Sequence, residues 1–298
     1  MNILSRNRQV EAIAALCEGV SIRATSRLTD IYRGTIMSLG VTVGRGCAVL
    51  HDTFMRDLQV NRVELDEAWS FVAKKQKQVR QDDPADFGDQ YVFVALAGAA
   101  KAIISYRVGK RTAPNTQAFV RDLRARVLGA PEISSDAFRA YPIAIEKAFG
   151  GDCAYGTIDK QYAAEPAIEA QRRYSPAAVV AVERQVVSGF PMYISTSYVE
   201  RQNLTLRMQQ RRFTRLTNGF SKKLENHMAA VALYVAHYNF CRVHETLRVT
   251  PAMQLGVTDH IWTISELVAA ALAGVLPERT PEPPLGYAPF TVIKGGRD

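Results

Sequence analysis

The chain predicts a mixed α/β fold behind an N-terminal helical segment, and three observations carry that prediction. Residues 7–50 place their apolar positions at helical spacing. Residues 56–149 run strand, strand, strand, helix, strand, helix, the order of a mixed sheet with flanking helices. From Ser195 to about residue 276 the pattern is helical again, with one strongly basic stretch.

In NRQVEAIAALCEG, Val10, Ile13, Ala14 and Leu16/Cys17 share a face, and Gly19 ends the helix. Ser21 is a cap for a short second helix, IRATSRLTD. A break at Asp30 to Arg33 precedes a third helix carrying Thr35, Ile36 and Leu39, which Gly40, Gly44 and Gly46 are expected to fray. Helix, short helix, turn, helix is the helix-turn-helix plan, and Arg23, Arg27 and Arg33 suit phosphate contact. A small helical bundle with no role on DNA is the bland alternative.

RDLQVNRVELDEAWSFVAKK reads as a strand, with Asp66 and Glu67 inside its apolar run. Acids there are costly unless paired or bound to a cation. YVFVALA (91–97) and AIISYRV (102–108) form a hairpin across GAAK. A helix over TQAFVRDLRARVLG follows, with Phe119, Leu123 and Val127 on one face. A short strand EISSD then ends in Asp136, and FRAYPIAIEKAFG is partly helical despite Pro142. Residues 159–194, with several acids and Arg172 and Arg173, break this rhythm and read as an insertion rather than a core element. LENHMAAVALYVAHYNF is an amphipathic helix, and 258–276 forms one more before a proline-rich tail. His237 and His244 lie near the end of the former; such lone histidines are more often structural than catalytic. The divisions expected are a helix-turn-helix region (1–55), a mixed α/β domain (56–257) with the insertion at about 159–194, and a C-terminal helix and tail (258–298).

The composition is that of an ordinary globular protein: 298 residues, 47% hydrophobic and 22% charged. A net charge of +8 favours nucleic acid or another polyanion as partner. The four cysteines, at 17, 47, 153 and 241, form no CxxC pair, so neither a zinc ribbon nor a disulfide framework is expected. The first ten residues hold no apolar run, and the longest apolar runs are too short to span a membrane. A reducing cytosol and no membrane partner fit these features.

In STSYVERQNLTLRMQQRRFTRLTNGFSKK (195–223) a single acid, Glu200, is followed by Arg201, Arg207, Arg211, Arg212, Arg215, Lys222 and Lys223. On a helix capped by Ser195 or Thr196, Glu200, Asn203 and Arg207 share one face. That face is either a basic solvated surface or a metal-bound acid beside a polyanion. Asp66, Asp136 and Glu200 are three separated acids of the kind that hold two hard divalent cations for an in-line displacement.

Four stretches carry a resemblance: VELDEAWSF, SSDAFRAY, the basic stretch above, and VALYVAHYNFCRVHETLRVTPAM. With them, residues 5–265 resemble the DDE transposases of the insertion-sequence-one (IS-one) type. The resemblance implies an RNase H-like catalytic domain behind a DNA-binding region. It also implies magnesium, or manganese in its place, as cofactor. The implied activity is cleavage of element ends and joining of their 3′ hydroxyls to target DNA. Asp66, Asp136 and Glu200 match the three acids, and Arg207 matches a basic position two turns after the glutamate. Arg242 and His244 fall in the Tyr-Asn, Arg, His pattern. DNA contacts are expected from Arg23, Arg27, Arg33, Asn203, Arg207, Arg211, Arg212 and Arg215. The implied partners are terminal repeats, target DNA and further copies of the chain, in a bacterial cytoplasm at the nucleoid. Founding members carry paired zinc cysteines, which are absent here. The rival readings are a catalytically inactive repressor of the element and a structure-selective nuclease on the same fold.

Overall fold

The computed structural model describes residues 4–162, 179–214 and 218–274. Three helices lead the chain: α1 (Arg6–Cys17), α2 (Ile22–Thr29) and α3 (Arg33–Phe54). The Ser21 hydroxyl caps α2 by accepting from Ala24 N at 3.1 Å, and Asp30 ends it in the left-handed conformation. The helix α3 is not frayed by its glycines. A Cβ on Gly44 would stand 2.2 Å from the Ala229 carbonyl oxygen, and one on Gly46 would stand 2.0 Å from that of Ala271. Glycine is there to let neighbouring helices approach, and their packing holds α3 together.

Next come β1 (Leu58–Gln59), β2 (Arg62–Val72), β3 (Gly88–Ala97) and β4 (Ala102–Gly109), then α4 (Ala113–Arg124). They are followed by β5 (Val127–Leu128), β6 (Glu132–Asp136), α5 (Ala140–Phe149), β7 (Ala154–Tyr162) and β8 (Val179–Ser188). Six of these strands form one mixed sheet, in the order β4-β3-β2-β6-β7-β8. The strands β4, β3 and β2 are an antiparallel meander; β6 pairs parallel to β2, β7 parallel to β6, and β8 antiparallel to β7. Residues 159–162 and 179–188 thus extend the sheet, contrary to their reading as an insertion outside it. Acids and prolines in the intervening sequence mask the strand pattern, and the middle of the expected insertion (163–178, with Arg172 and Arg173) lies outside the described residues.

The last part holds α6 (Ser197–Gln209), α7 (Leu224–Ala236), α8 (Pro251–Gln254) and α9 (Ile264–Ala273). A π-helical turn, His237–Cys241, extends α7. There Asn239 acts as a missing strand: its amide accepts from Ile103 N at 3.1 Å and donates to Ile103 O at 2.8 Å, satisfying the outer strand β4. The sheet separates two apolar clusters. Val63, Leu65, Phe93 and Ala95 face the helices α1, α3, α4, α5 and α9. Ala68, Val92, Val94 and Leu96 face α6 and the other side of α7. No described helix is long and apolar enough to cross a membrane.

Candidate metal centre

Strand register brings two of the expected acids together. The pairing of β2 with β6 runs to Leu65 and Ser135, and the next residue on each strand is an acid, Asp66 and Asp136. Parallel neighbours at the same level must lie side by side. Asp66, Glu67 and Asp136 each offer an oxygen within 4.8 Å of the other two. Successive strand residues point to opposite faces, so Asp66 looks towards α6 and Glu67 towards α5. On the α6 face the Asn203 amide donates to Asp66 Oδ2 at 2.8 Å. Asn203, expected among the DNA contacts, is 3% exposed and holds the Asp66 carboxylate.

On the other face Arg111 bridges two acids. Its Nε donates to Glu67 Oε2 at 3.0 Å and its Nη2 to Asp136 Oδ2 at 3.1 Å, and its guanidinium stacks 3.9 Å from the Phe138 ring centre. The Glu67 side chain is only 3% exposed. Its Oε1 and the neighbouring hydroxyl of buried Tyr141 both lack a hydrogen bond of good geometry, as does Asn203 Oδ1. Burial, with the Asp136 charge next in importance, raises the Glu67 carboxyl to about 7. Burial likewise raises Asp66 to about 6, with Asp136 and Glu200 adding to the rise. Asp136 is raised for the same first reason. Burial is the larger cause, and repulsion between the carboxylates adds to it.

Glu200 does not join this group of three. It lies near enough for its charge to raise Asp66 and Asp136, but its carboxylate accepts from Thr196 Oγ1 at 2.6 Å and pairs with the Lys160 ammonium. The helix bearing it is anchored by an acid that sequence reasoning passed over. Glu64, 3% exposed, accepts from the first-turn amides Tyr198 N at 2.8 Å and Val199 N at 3.0 Å. Of the two expected caps, Ser195 Oγ accepts from Ser197 N at 3.2 Å, while the Thr196 hydroxyl is given to Glu200, so Glu64 from β2 takes the next two amides. The signal was available: Glu64 lies two residues before Asp66 and so shares its face. Half-buried acids, raised in pKa and with Glu67 Oε1 unpartnered, are a donor set suited to a hard divalent cation.

The basic residues are distributed differently from the single helix expected. Helix α6 ends at Gln209, leaving Arg211 and Arg212 on a short 3-10 turn. A cavity of about 590 Å3 brings both together with Arg23 of α2. Arg212 Nη1 donates to Ser221 Oγ at 2.6 Å and lies beside buried His227, which it helps burial to hold at about 3. Arg23, Arg27 and Arg33 are exposed on α2 and the start of α3, and Arg207 is half-buried in the last turn of α6. Arg215 lies outside the described residues. His237 is buried and the His244 ring bonds Thr246 at 3.0 Å; neither belongs to the carboxylate group.

No family model matches the chain, and no curated protein is similar to it. Among solved structures, the chain is similar to a piggyBac transposase synaptic complex with hairpin DNA. The identity is 11%, over 91% of this chain and 72% of that one, with a TM-score of 0.38. A pre-cleavage Mos1 transpososome matches at 11% identity over 79% of each chain, with a TM-score of 0.21. A Mos1 paired-end complex with the left transposon end matches at 16% over 49% of this chain and 58% of that one, with a TM-score of 0.18. These scores are too low to carry a shared fold, and the reading of the site rests on its own residues.

Proposed function

We propose that the chain is a metal-dependent DNA transposase of the insertion-sequence-one type, with an RNase H-like catalytic sheet. The observation that carries this reading is the group of half-buried acids at one end of the mixed sheet, where Asp66 and Asp136 stand level on adjacent parallel strands. Asp66, Asp136 and Glu200 are the residues assigned to hold magnesium or manganese. Bound there, such a cation supplies Lewis-acid stabilisation of charge on phosphoryl oxygens. Asn203 keeps Asp66 in place, and Glu64 keeps α6, and with it Glu200, against β2. The reaction is cleavage at element ends and joining of the 3′ hydroxyls to target DNA.

The three-part division of the chain is then one of roles. In residues 1–55, α2 and the first turns of α3 act as the helix-turn-helix that reads terminal repeats, through Arg23, Arg27 and Arg33. Arg207, Arg211, Arg212 and Arg215 neutralise phosphates within 56–257, where salt dependence follows. The complex forms from several copies on DNA, in a bacterial cytoplasm.

Glu200→Gln keeps the shape of the side chain and removes a charge a hard cation needs. Strand transfer at saturating DNA falls by about a hundredfold or more. DNA affinity is unchanged or slightly higher, because a negative charge near phosphate is gone. Wild-type strand transfer by a variant shown to be folded by circular dichroism rules out the role given to Glu200.

A further inference from the structure

Lys160 has no part in the reading above, yet it holds the acid that reading needs most. Strand β7 runs past the end of β6: Asp136 pairs with Ile158, and Lys160 lies two residues further along on the same face. It therefore stands at the open end of the carboxylate group, where its ammonium pairs with Glu200. Two cations serve this site, and they are held very differently. Arg111 is fixed by Glu67, by Asp136 and by stacking on Phe138. Among the described residues, Lys160 has Glu200 as its carboxylate partner and no aromatic face beneath it. Its side chain is 22% exposed and that of Glu200 43%, so solvent and ligands reach the pair. An ammonium on a flexible stem also exchanges partners more readily than a planar fork.

Charge decides what such a pair can do. Asp66, Glu67, Asp136 and Glu200 are four carboxylates, set against Arg111 and Lys160. The remaining two negative charges are neutralised by one divalent cation. Any further cation, or any use of Glu200 as ligand, requires the ammonium to leave. We propose that Lys160 is a displaceable counter-ion of Glu200, which a divalent cation releases to a DNA phosphate, so that metal and DNA each tighten the binding of the other. This rests on the transposase reading, in which the cation itself meets phosphoryl oxygens, and it adds a second coupling, through Lys160, that the reading does not require. Such linkage is reciprocal and commonly amounts to a factor of about 5 to 150.

The test titrates the full chain with Mn2+ by calorimetry, with and without a short DNA duplex, in wild type, Lys160→Met and Lys160→Gln. In wild type, DNA tightens Mn2+ binding by about tenfold. In both variants Mn2+ binds the free protein more tightly than it binds wild type, and DNA changes that affinity less than it does in wild type. A purely structural lysine predicts weaker metal binding in the variants with any DNA effect unaltered. Either that result, or a wild type in which DNA leaves Mn2+ affinity unchanged, overturns the inference. A wild type that binds no Mn2+ at all instead removes the transposase reading, and this inference with it. Two substitutions of different polarity guard against one failing to fold.

Discussion

Glu67 is an acid whose environment holds it well outside the ordinary carboxylate range. Its carboxyl is raised from an ordinary 4.5 to about 7, by burial first and by Asp136 second, despite the Arg111 partner. An acid with a raised folded pKa binds more protons folded than unfolded. Its contribution to stability is full below about pH 4.5 and is lost as pH rises through about 7. Metal-free Glu67→Gln therefore has stability close to wild type near pH 5. It exceeds wild type by about 1–3 kcal/mol near pH 8, where the wild-type side chain must be charged. Urea denaturation at the two pH values measures this; an offset that does not vary with pH sinks it. At this scale the sequence was informative about which acids are costly, since Asp66 and Glu67 interrupt an apolar strand. It was silent on their partners. Arg111 and Lys160 are brought to the site by the ends of β4 and β7, and nothing in their local sequence sets them apart from other surface cations.

At the level of elements, helix and strand types were legible wherever periodicity was strong, and they failed where tertiary contact overrides propensity. The clearest case is α3, where Gly40, Gly44 and Gly46 predict a frayed helix and occupy a continuous one. They are not equivalent. Nearest to a Cβ on Gly40 is Leu16 Cδ1 at 3.4 Å, an ordinary contact, whereas Gly44 and Gly46 face backbone that cannot move aside. Gly40→Ala accordingly stabilises the protein by up to about 1 kcal/mol through helix propensity. Gly44→Ala and Gly46→Ala each destabilise it by about 1–3 kcal/mol or more, through forced separation of α3 from α7 and from α9. Chemical denaturation of the three single variants gives the order, and equal effects at all three positions contradict the packing argument. The partners of these glycines come from distant parts of the chain, which is why spacing along the sequence could not reveal them. The last two strands of the sheet, β7 and β8, were missed for a related reason: their sequence is half polar, and pairing with β6 makes a strand of β7.

For the whole molecule, the division of roles does not coincide with a division of cores. Ile13, Cys17, Val43, Cys47, Leu50 and Phe54 are buried in the same cluster as Val63, Leu65 and Phe93 of the sheet. Phe54 meets Phe240 and Trp262 edge-on, at 5.7 and 5.6 Å between ring centres, and Arg126, 5% exposed, donates to the Met55 carbonyl at 3.1 Å. Removing residues 1–55 would uncover this face of the sheet and leave buried polar groups without partners. The expected result is a 56–298 fragment that does not fold, read as loss of the cooperative thermal transition. Deletion is therefore no test of DNA recognition, and substitution of exposed side chains is. Arg23, Arg27 and Arg33 all face solvent, so replacing the three by alanine leaves the fold and its melting transition close to wild type. If each contacts a phosphate, the salt dependence of DNA binding falls by about three units in slope. Protection of the terminal repeat in a footprint disappears, while salt-sensitive binding to unrelated duplex persists through Arg211 and Arg212. A triple variant that folds and still protects the repeat at wild-type concentration would place recognition outside α2 and α3.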